Sequence, residues 1–385
     1  MSFFFKLTAI LIAILYYPVV FFKNRINRKK PTKILISQTA KIGDMVCTTP
    51  FFREAKKVFP DAKLIVLGNS WNRPILELNP RVDDFIELDS FIGFSGLFKL
   101  ARTMKNMEIS HFFNVNPNGW FQNLASFFAC IPNRVVATSE YESLMSKLAR
   151  IFCNFKLELR LGYLKSKFNL DLLRFFKNIE FDEKKEVYFS EQAEQKAKEF
   201  LIKNSAEQDF VIGMSVVAGN IYKQWGIENF AKLADRIINL GIKVVFTGSN
   251  SDKKKILEAM DIMETKAIDS SGEFKLIELP ALINSLKAFI ALDSGPIYIA
   301  NALDVPIVDI SGSSVIEEQL ILSKKVIAVK SNMYEPFSHV FPTPVNGYEE
   351  RYKECFESIS VDMVFDAFIN LLKLNYPEIY EKINR

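Results

Sequence analysis

The sequence predicts an α/β protein made of two doubly wound, Rossmann-like domains facing a cleft, preceded by an N-terminal membrane-anchor helix. Three observations lead there. Short apolar runs alternate with amphipathic helical stretches, the pattern of parallel sheets with helices on both faces. The alternation breaks over a charged stretch at 182–208 and then restarts. Residues 3–22 form an apolar block with a dense basic run directly behind it.

Size and composition agree. A chain of 385 residues exceeds one ordinary core, so two domains are expected. Its 49% hydrophobic and 24% charged content is that of a globular protein. The net charge of +4 is modest and partly concentrated near the N-terminus, which argues against a nucleic-acid partner.

The apolar block from Phe3 to Phe22 is interrupted only by Lys6 and Thr8. As a helix it reaches about 30 Å, one hydrocarbon thickness. Tyr16 and Tyr17 suit an interfacial belt, and the basic run from Lys23 to Lys30 keeps the rest of the chain cytoplasmic by the positive-inside rule. No small-residue cleavage site comes after it. Two readings stay open: a spanning helix, favoured by length, and a helix lying in the interface with a polybasic clamp.

From Pro31 the first half begins. Lys33–Ile36, Leu64–Leu67, Phe85–Leu88 and Ile109–Val115 read as strands, with a loop from Gln38 to Asp44 and a helix ending at Pro60. Pro50 either opens that helix behind Thr49 as cap or sits as a kink inside an earlier one. In the second half Phe210–Met214, Lys243–Phe246, Ala288–Leu292 and Val305–Ile310 read as strands, and Ile227–Leu240 as an amphipathic helix. The expected boundaries are an anchor at 1–30, a first domain at 31–181, a linker at 182–208, a second domain at 209–360, and a final helix at 361–385 packing back toward the first domain.

Ligands of such sheets bind at the carboxyl ends of strands. Four strand ends carry suitable residues. Gly43 and Asp44 follow the first strand: glycine permits close backbone approach, and a carboxylate there can act as general base or simply as a helix N-cap. Lys223 lies in the loop Gly219–Trp225, where an ammonium could offset a leaving diphosphate; the plainer reading is a solvated lysine. Gly248, Ser249 and Asp252 form a small-residue turn that could admit a nucleotide, although such turns are common. Asp293-Ser294-Gly295-Pro296 joins a buried strand to a helix with Pro296 in its first position, an arrangement that offers backbone N–H groups and a positive helix end to an anion.

Other chemistries lack their residues. Cys47, Cys130, Cys153 and Cys355 are far apart with no CxxC spacing, so neither a zinc site nor a redox dithiol is signalled. Of the two histidines, His339 has no suggestive context and His111, beside Phe112 and Phe113, reads as a packing residue. No GxGxxG or GxxxxGK[ST] loop occurs, nor an Asp-x-Asp pair for a metal–diphosphate complex, so no cofactor and no metal are expected.

At these residues the chain resembles glycosyltransferase family 9, the heptosyltransferase-like enzymes of lipopolysaccharide assembly. The resemblance runs from Lys33 to the final helix. It is carried by Gly43-Asp44 with Thr48-Thr49-Pro50, Phe59-Pro60-Asp61-Ala62, Asn79-Pro80-Arg81-Val82-Asp83, Lys223-Gln224-Trp225, Thr247-Gly248-Ser249, Asp293–Pro296 with Ala300 and Leu303–Pro306, and Cys355-Phe356. It implies a GT-B fold, an acceptor in the first domain, and a nucleotide-sugar, commonly ADP-heptose, in the second. It also implies inversion at the anomeric centre without a metal. By this likeness Asp44 is the base, Lys223 meets the diphosphate, and Gly43, Gly248, Ser249, Asp252, Asp293, Ser294, Gly295, Pro296 and Tyr298 contact the donor. Tyr298 stands where family members often have histidine. The anchor lies outside the resemblance and suggests a lipid-linked saccharide acceptor, met at the cytoplasmic side of a bacterial inner membrane. A catalytically silent binding protein of the same fold is the competing reading.

Overall fold

A computed structural model of the chain describes residues 3–26, 31–140, 142–160, 162–219, 223–312, 314–333 and 348–384. Residues 27–30 of the basic flank, 220–222 of the second site loop, and His339 lie outside the described residues. The chain divides into two compact units, Met1–Lys185 and Glu186–Arg385.

The first unit opens with helix α1 (Phe3–Ile26) and then strand β1 (Lys33–Ser37). Helix α2 (Ile42–Val58), β2 (Lys63–Gly68), β3 (Asp84–Glu87), α3 (Gly93–Asn106) and β4 (His111–Asn114) come next. It closes with α4 (Trp120–Phe128), β5 (Asn133–Thr138), α5 (Leu144–Ala149), β6 (Phe155–Glu158) and α6 (Lys165–Asp171). All six strands are parallel, in the order β3-β2-β1-β4-β5-β6. The middles of the central strands are apolar because helices cover both faces: Ile34, Leu35, Ile36, Phe112 and Phe113 are fully buried.

The second unit contains α7 (Glu191–Lys203), β7 (Val211–Ser215), α8 (Ile227–Asn239), β8 (Lys243–Thr247), α9 (Lys253–Ile262) and β9 (Ile268–Asp269). Then come α10 (Leu279–Asn284), β10 (Ala288–Leu292), α11 (Gly295–Ala302), β11 (Ile307–Gly312) and β12 (Val326–Lys330). Helices α12 (Tyr348–Glu357), α13 (Val361–Asn375) and α14 (Pro377–Ile383) end the chain. Its sheet order, β12-β11-β10-β7-β8-β9, is that of the first unit, with the strands again parallel. In both sheets the direction of winding therefore reverses between the first strand and the fourth: β1 beside β4, and β7 beside β10.

Several local expectations need correction. The loop after β1 is shorter than read from sequence: α2 starts at Ile42, so Gly43 lies inside its first turn. Pro50 lies inside α2 rather than opening it. Its missing N–H would leave the carbonyl of Val46 without its helical donor; the Thr49 hydroxyl donates to that oxygen at 2.8 Å instead. Pro296 takes the second helical position of α11, behind Gly295 and the N-cap Ser294. Helix α13 packs on the second unit, where Val364, Phe368, Leu371 and Leu372 join the core formed by β7, β8, β10 and α8. The stripe 364, 368, 371 and 372 is simply its apolar helical face.

Candidate active site

In each unit the reversal of winding opens a crevice at the carboxyl ends of the two central strands, where ligands of open α/β sheets sit. In the second unit this position is charged. β10 ends in Asp293, which is 7% exposed. Lys223, from the loop after β7, donates to its Oδ2 at 2.8 Å. Tyr298, on the first turns of α11, donates to Oδ1, and Ser314, after β11, to Oδ2 at 3.1 Å. The Lys223 side chain is only 11% exposed, so it is a fixed ammonium and not a solvated surface lysine. The N-terminus of α11 adds its partial positive charge to the same strand end. Ser294, the N-cap, makes no side-chain capping bond.

Behind this cluster lies Asp309 on β11. It is fully buried, and among the described residues neither carboxyl oxygen has a hydrogen-bond partner. Burial, followed by repulsion from Asp293, pushes its pKa well above the carboxylate range; Lys223 and Lys330 oppose this. Burial and that repulsion both favour the neutral form of Asp309 within a buried group that holds one ammonium and one further carboxylate.

In the first unit the same position is lined by amides. The loop after β1 is strapped from several directions. Asn69 Nδ2 donates to the carbonyl of Thr39 at 2.7 Å, and Asn72 Nδ2 to those of Gln38 and Ala40 at 3.2 Å each. Gln38 accepts from the N–H of Ala40 at 3.0 Å and donates to Thr48 Oγ1 at 2.9 Å. At the end of β4, Asn114 Nδ2 donates to Asn123 Oδ1 at 2.7 Å, while its Oδ1 accepts from the N–H of Asn116 at 3.1 Å. A side chain at Gly119 would meet Asn114 Nδ2 at 2.1 Å, so any larger residue would have to displace that amide. Lys165 reaches this edge from α6 and donates to the carbonyl of Val115 at 2.9 Å.

These straps fix the start of α2 and with it Asp44. The carboxylate is partly exposed and occupies the third helical position rather than the N-cap. Its Oδ2 accepts from the N–H of Lys41 at 3.2 Å. A carboxylate in the first turn of a helix is electrostatically favoured.

Residues 119–343, more than half of the chain, match glycosyltransferase family 9 (heptosyltransferase). The chain belongs to this family. Lipopolysaccharide heptosyltransferase 2 of Salmonella typhimurium is 26% identical over 292 residues, which are 73% of this chain and 83% of that protein. A crystal structure of a family-9 glycosyl transferase from Veillonella parvula aligns with a TM-score of 0.75 at 23% identity, covering 90% of this chain and 99% of that one. Escherichia coli ADP-heptose lps heptosyltransferase II aligns with a TM-score of 0.69 at 21% identity, covering 89% and 99%. The two six-stranded parallel sheets are those of the GT-B fold shared by these glycosyltransferases.

Within this family-9 frame the sequence-derived residues fall into two groups. Lys223, Asp293, Ser294, Gly295, Pro296 and Tyr298 share the β7/β10 strand end. Tyr298 is buried and its hydroxyl donates to Asp293. Gly248, Ser249 and Asp252 lie one strand over, after β8. There Asp252 Oδ2 accepts from the Ser249 N–H at 2.8 Å and its hydroxyl at 2.6 Å, closing the turn. A side chain at Gly248 would press on Ile256 Cδ1 at 2.6 Å, so this glycine serves helix packing. His111 is a packing residue, as expected. It lies between Phe59, tilted against it, and Phe176, edge-on to it, each 4.8 Å away, and burial lowers its pKa to about 4.

Sequence reasoning missed Gln38, Asn69, Asn72, Asn114, Asn123, Lys165, Asp309 and Ser314. Asn69 and Asn72 sit in the turn after β2, where asparagine is common for local reasons. The Asn69-to-Thr39 contact joins residues 30 apart and leaves no periodic signal.

Proposed function

We propose that this protein transfers heptose from ADP-heptose to a lipid-linked saccharide of lipopolysaccharide or a related cell-surface glycan, inverting the anomeric centre without a metal. The names of the relatives point to the sugar and the pathway class. The observation that carries the reading is the Lys223–Asp293 pair at the β7/β10 crevice, a buried, oriented ammonium beside a helix N-terminus.

In the proposed reaction an acceptor hydroxyl oxygen attacks the anomeric carbon on the face opposite the diphosphate. The carbon–oxygen bond to the diphosphate breaks, and its electron pair leaves with ADP. The hydroxyl proton passes to Asp44, held by the straps on the β1 loop. Lys223 and the first turn of α11 offset the charge that develops on the leaving diphosphate. Asp293 is a positioning residue, since it fixes the Lys223 ammonium and is itself held by Tyr298 and Ser314. Ser249 and Asp252 border the nucleotide end of the donor.

The apolar helix Phe4–Asn24 is long enough to meet a membrane, and in this reading the protein works on the cytoplasmic side of the inner membrane. The test uses the full chain, ADP-heptose, and glycolipid extracted from cells lacking this gene. The expected result is release of ADP with a glycolipid heavier by one heptose. ADP-heptose binding with neither product would show a binding protein instead.

A further inference from the structure

Helix α1 is docked on the first unit along nearly its whole length. Ala9, Ile10, Ala13 and Val20 are buried in the same core as α3 and α4. Phe5 meets Trp120 at 5.8 Å near one end, and Tyr17 meets Phe127 at 6.2 Å near the other. The two polar residues of the apolar block are accommodated locally. Thr8 donates to the carbonyl of Phe4 at 2.8 Å, and the Lys6 ammonium lies 5.7 Å from the Trp120 ring centre. The opposite face is apolar and open: Phe4 and Leu15 are 80% exposed and Phe22 63%.

A spanning helix is surrounded by hydrocarbon. This one has α3 and α4 along one side, and α3 carries Lys99, Arg102 and Lys105. Drawing α1 across the bilayer would either pull those cations into hydrocarbon or strip the helix from its core, and both are costly.

Beside α1 is an open groove of about 560 Å3. Ile12, Tyr16, Phe98 and Phe128 give it apolar walls, and Arg102 and Lys105, one turn apart on α3, line it as well. Both cations are exposed, and neither has an ion-pair partner among the described residues. Apolar walls with unpaired cations match one amphiphile class, an acyl chain carrying an anionic phosphate.

We infer that α1 lies in the plane of the membrane and that the groove between α1 and α3 holds one anionic phospholipid. Its chain lies against Ile12, Tyr16, Phe98 and Phe128, and its phosphate is bound by Arg102 and Lys105. This rests on the membrane attachment proposed above and adds both its mode and a lipid site to it. The exposed α1 face meets the acyl region while the two units stay on one side.

The experiment compares the full chain with Arg102→Glu/Lys105→Glu and with a control of equal charge change, Lys198→Glu/Lys203→Glu on α7. Each is mixed with vesicles of phosphatidylcholine, with or without phosphatidylglycerol. Retained lipid is then counted by native mass spectrometry. The wild type and the control should bind the phosphatidylglycerol vesicles and carry one phosphatidylglycerol. The groove variant should bind about thirtyfold more weakly and carry none, with unchanged transfer to a deacylated, soluble acceptor. Equal weakening of the control, or retained lipid in the groove variant, overturns the site. Ser2→Cys, ahead of the helix, should react with a membrane-impermeant maleimide from the same side as Lys203→Cys; reaction only from the opposite side overturns the in-plane helix. Failure of the wild type to bind any vesicle would instead overturn membrane attachment itself.

Discussion

At the crevice between β1 and β4 the first unit places amides, with Asn69, Asn72, Asn114 and Asn123 holding loops by neutral hydrogen bonds. At the matching crevice between β7 and β10 the second unit places an ammonium, two carboxyl groups and a buried tyrosine hydroxyl. Strand order is the same in both, so topology selects the position and the side chains select the chemistry. Amides hold a backbone shape without committing charge, which suits the presentation of one carboxylate to a neutral hydroxyl. A buried charge cluster is costly to assemble, and its natural use is to meet a ligand that brings charge of its own.

The largest expected effect tests the first half of this contrast. Asp44→Asn keeps a helix-start acceptor for the Lys41 N–H but removes the carboxylate proposed as base. Turnover of ADP-heptose should fall by about 10²- to 10⁴-fold, measured as ADP release, with circular dichroism unchanged. Wild-type turnover would remove the carboxylate from the mechanism.

The next effect probes the charged half. Lys223→Ala removes a charge-assisted contact and leaves Asp293 buried beside Tyr298 and Ser314. Donor affinity should drop about 10- to 100-fold, read by calorimetry, together with some loss of thermal stability.

Two smaller effects separate the units by the sign of their pH response. His111 has a folded pKa of about 4, below its ordinary value. Its contribution to stability is present above pH 6.5 and lost as pH falls through 4. Between pH 7 and pH 5 that amounts to about 2 kcal/mol, and His111→Phe should remove that part of the pH dependence in urea titrations. Asp309 behaves in the opposite sense. Its folded pKa is raised, so its contribution is present below the ordinary carboxylate pKa and lost as pH rises toward the folded value. Asp309→Asn should melt above the wild type at pH 7, and the gap should close toward pH 4. A gap that widens in acid would mean that Asp309 is ionised in the fold.

Much of this architecture is legible in the sequence because its central strands are buried on both faces. Ala288–Leu292 matches its predicted strand residue for residue, since an unbroken apolar run flanked by turn residues admits few other states. The edge strands are not legible. Phe155–Glu158 alternates with its exposed positions, and Ile268–Asp269 is only two residues long. Lys223 and Asp293 are each visible as strand-end residues, but their pairing spans 70 positions. Asp309 is hidden for the opposite reason: within Val305–Ile310 a lone acid reads as an interruption in a core strand, and only the fold sets it behind Asp293. The docking of α1 is equally invisible, because an apolar helix looks the same to sequence whether it faces lipid on all sides or on one.

The division of labour between the units is tested most directly by titrating ADP-heptose calorimetrically into Asp44→Asn and Lys223→Ala side by side. Wild-type affinity is expected in the first, despite its lost turnover, and strongly weakened affinity in the second. Equal weakening in both, or undiminished affinity in Lys223→Ala, would contradict that division.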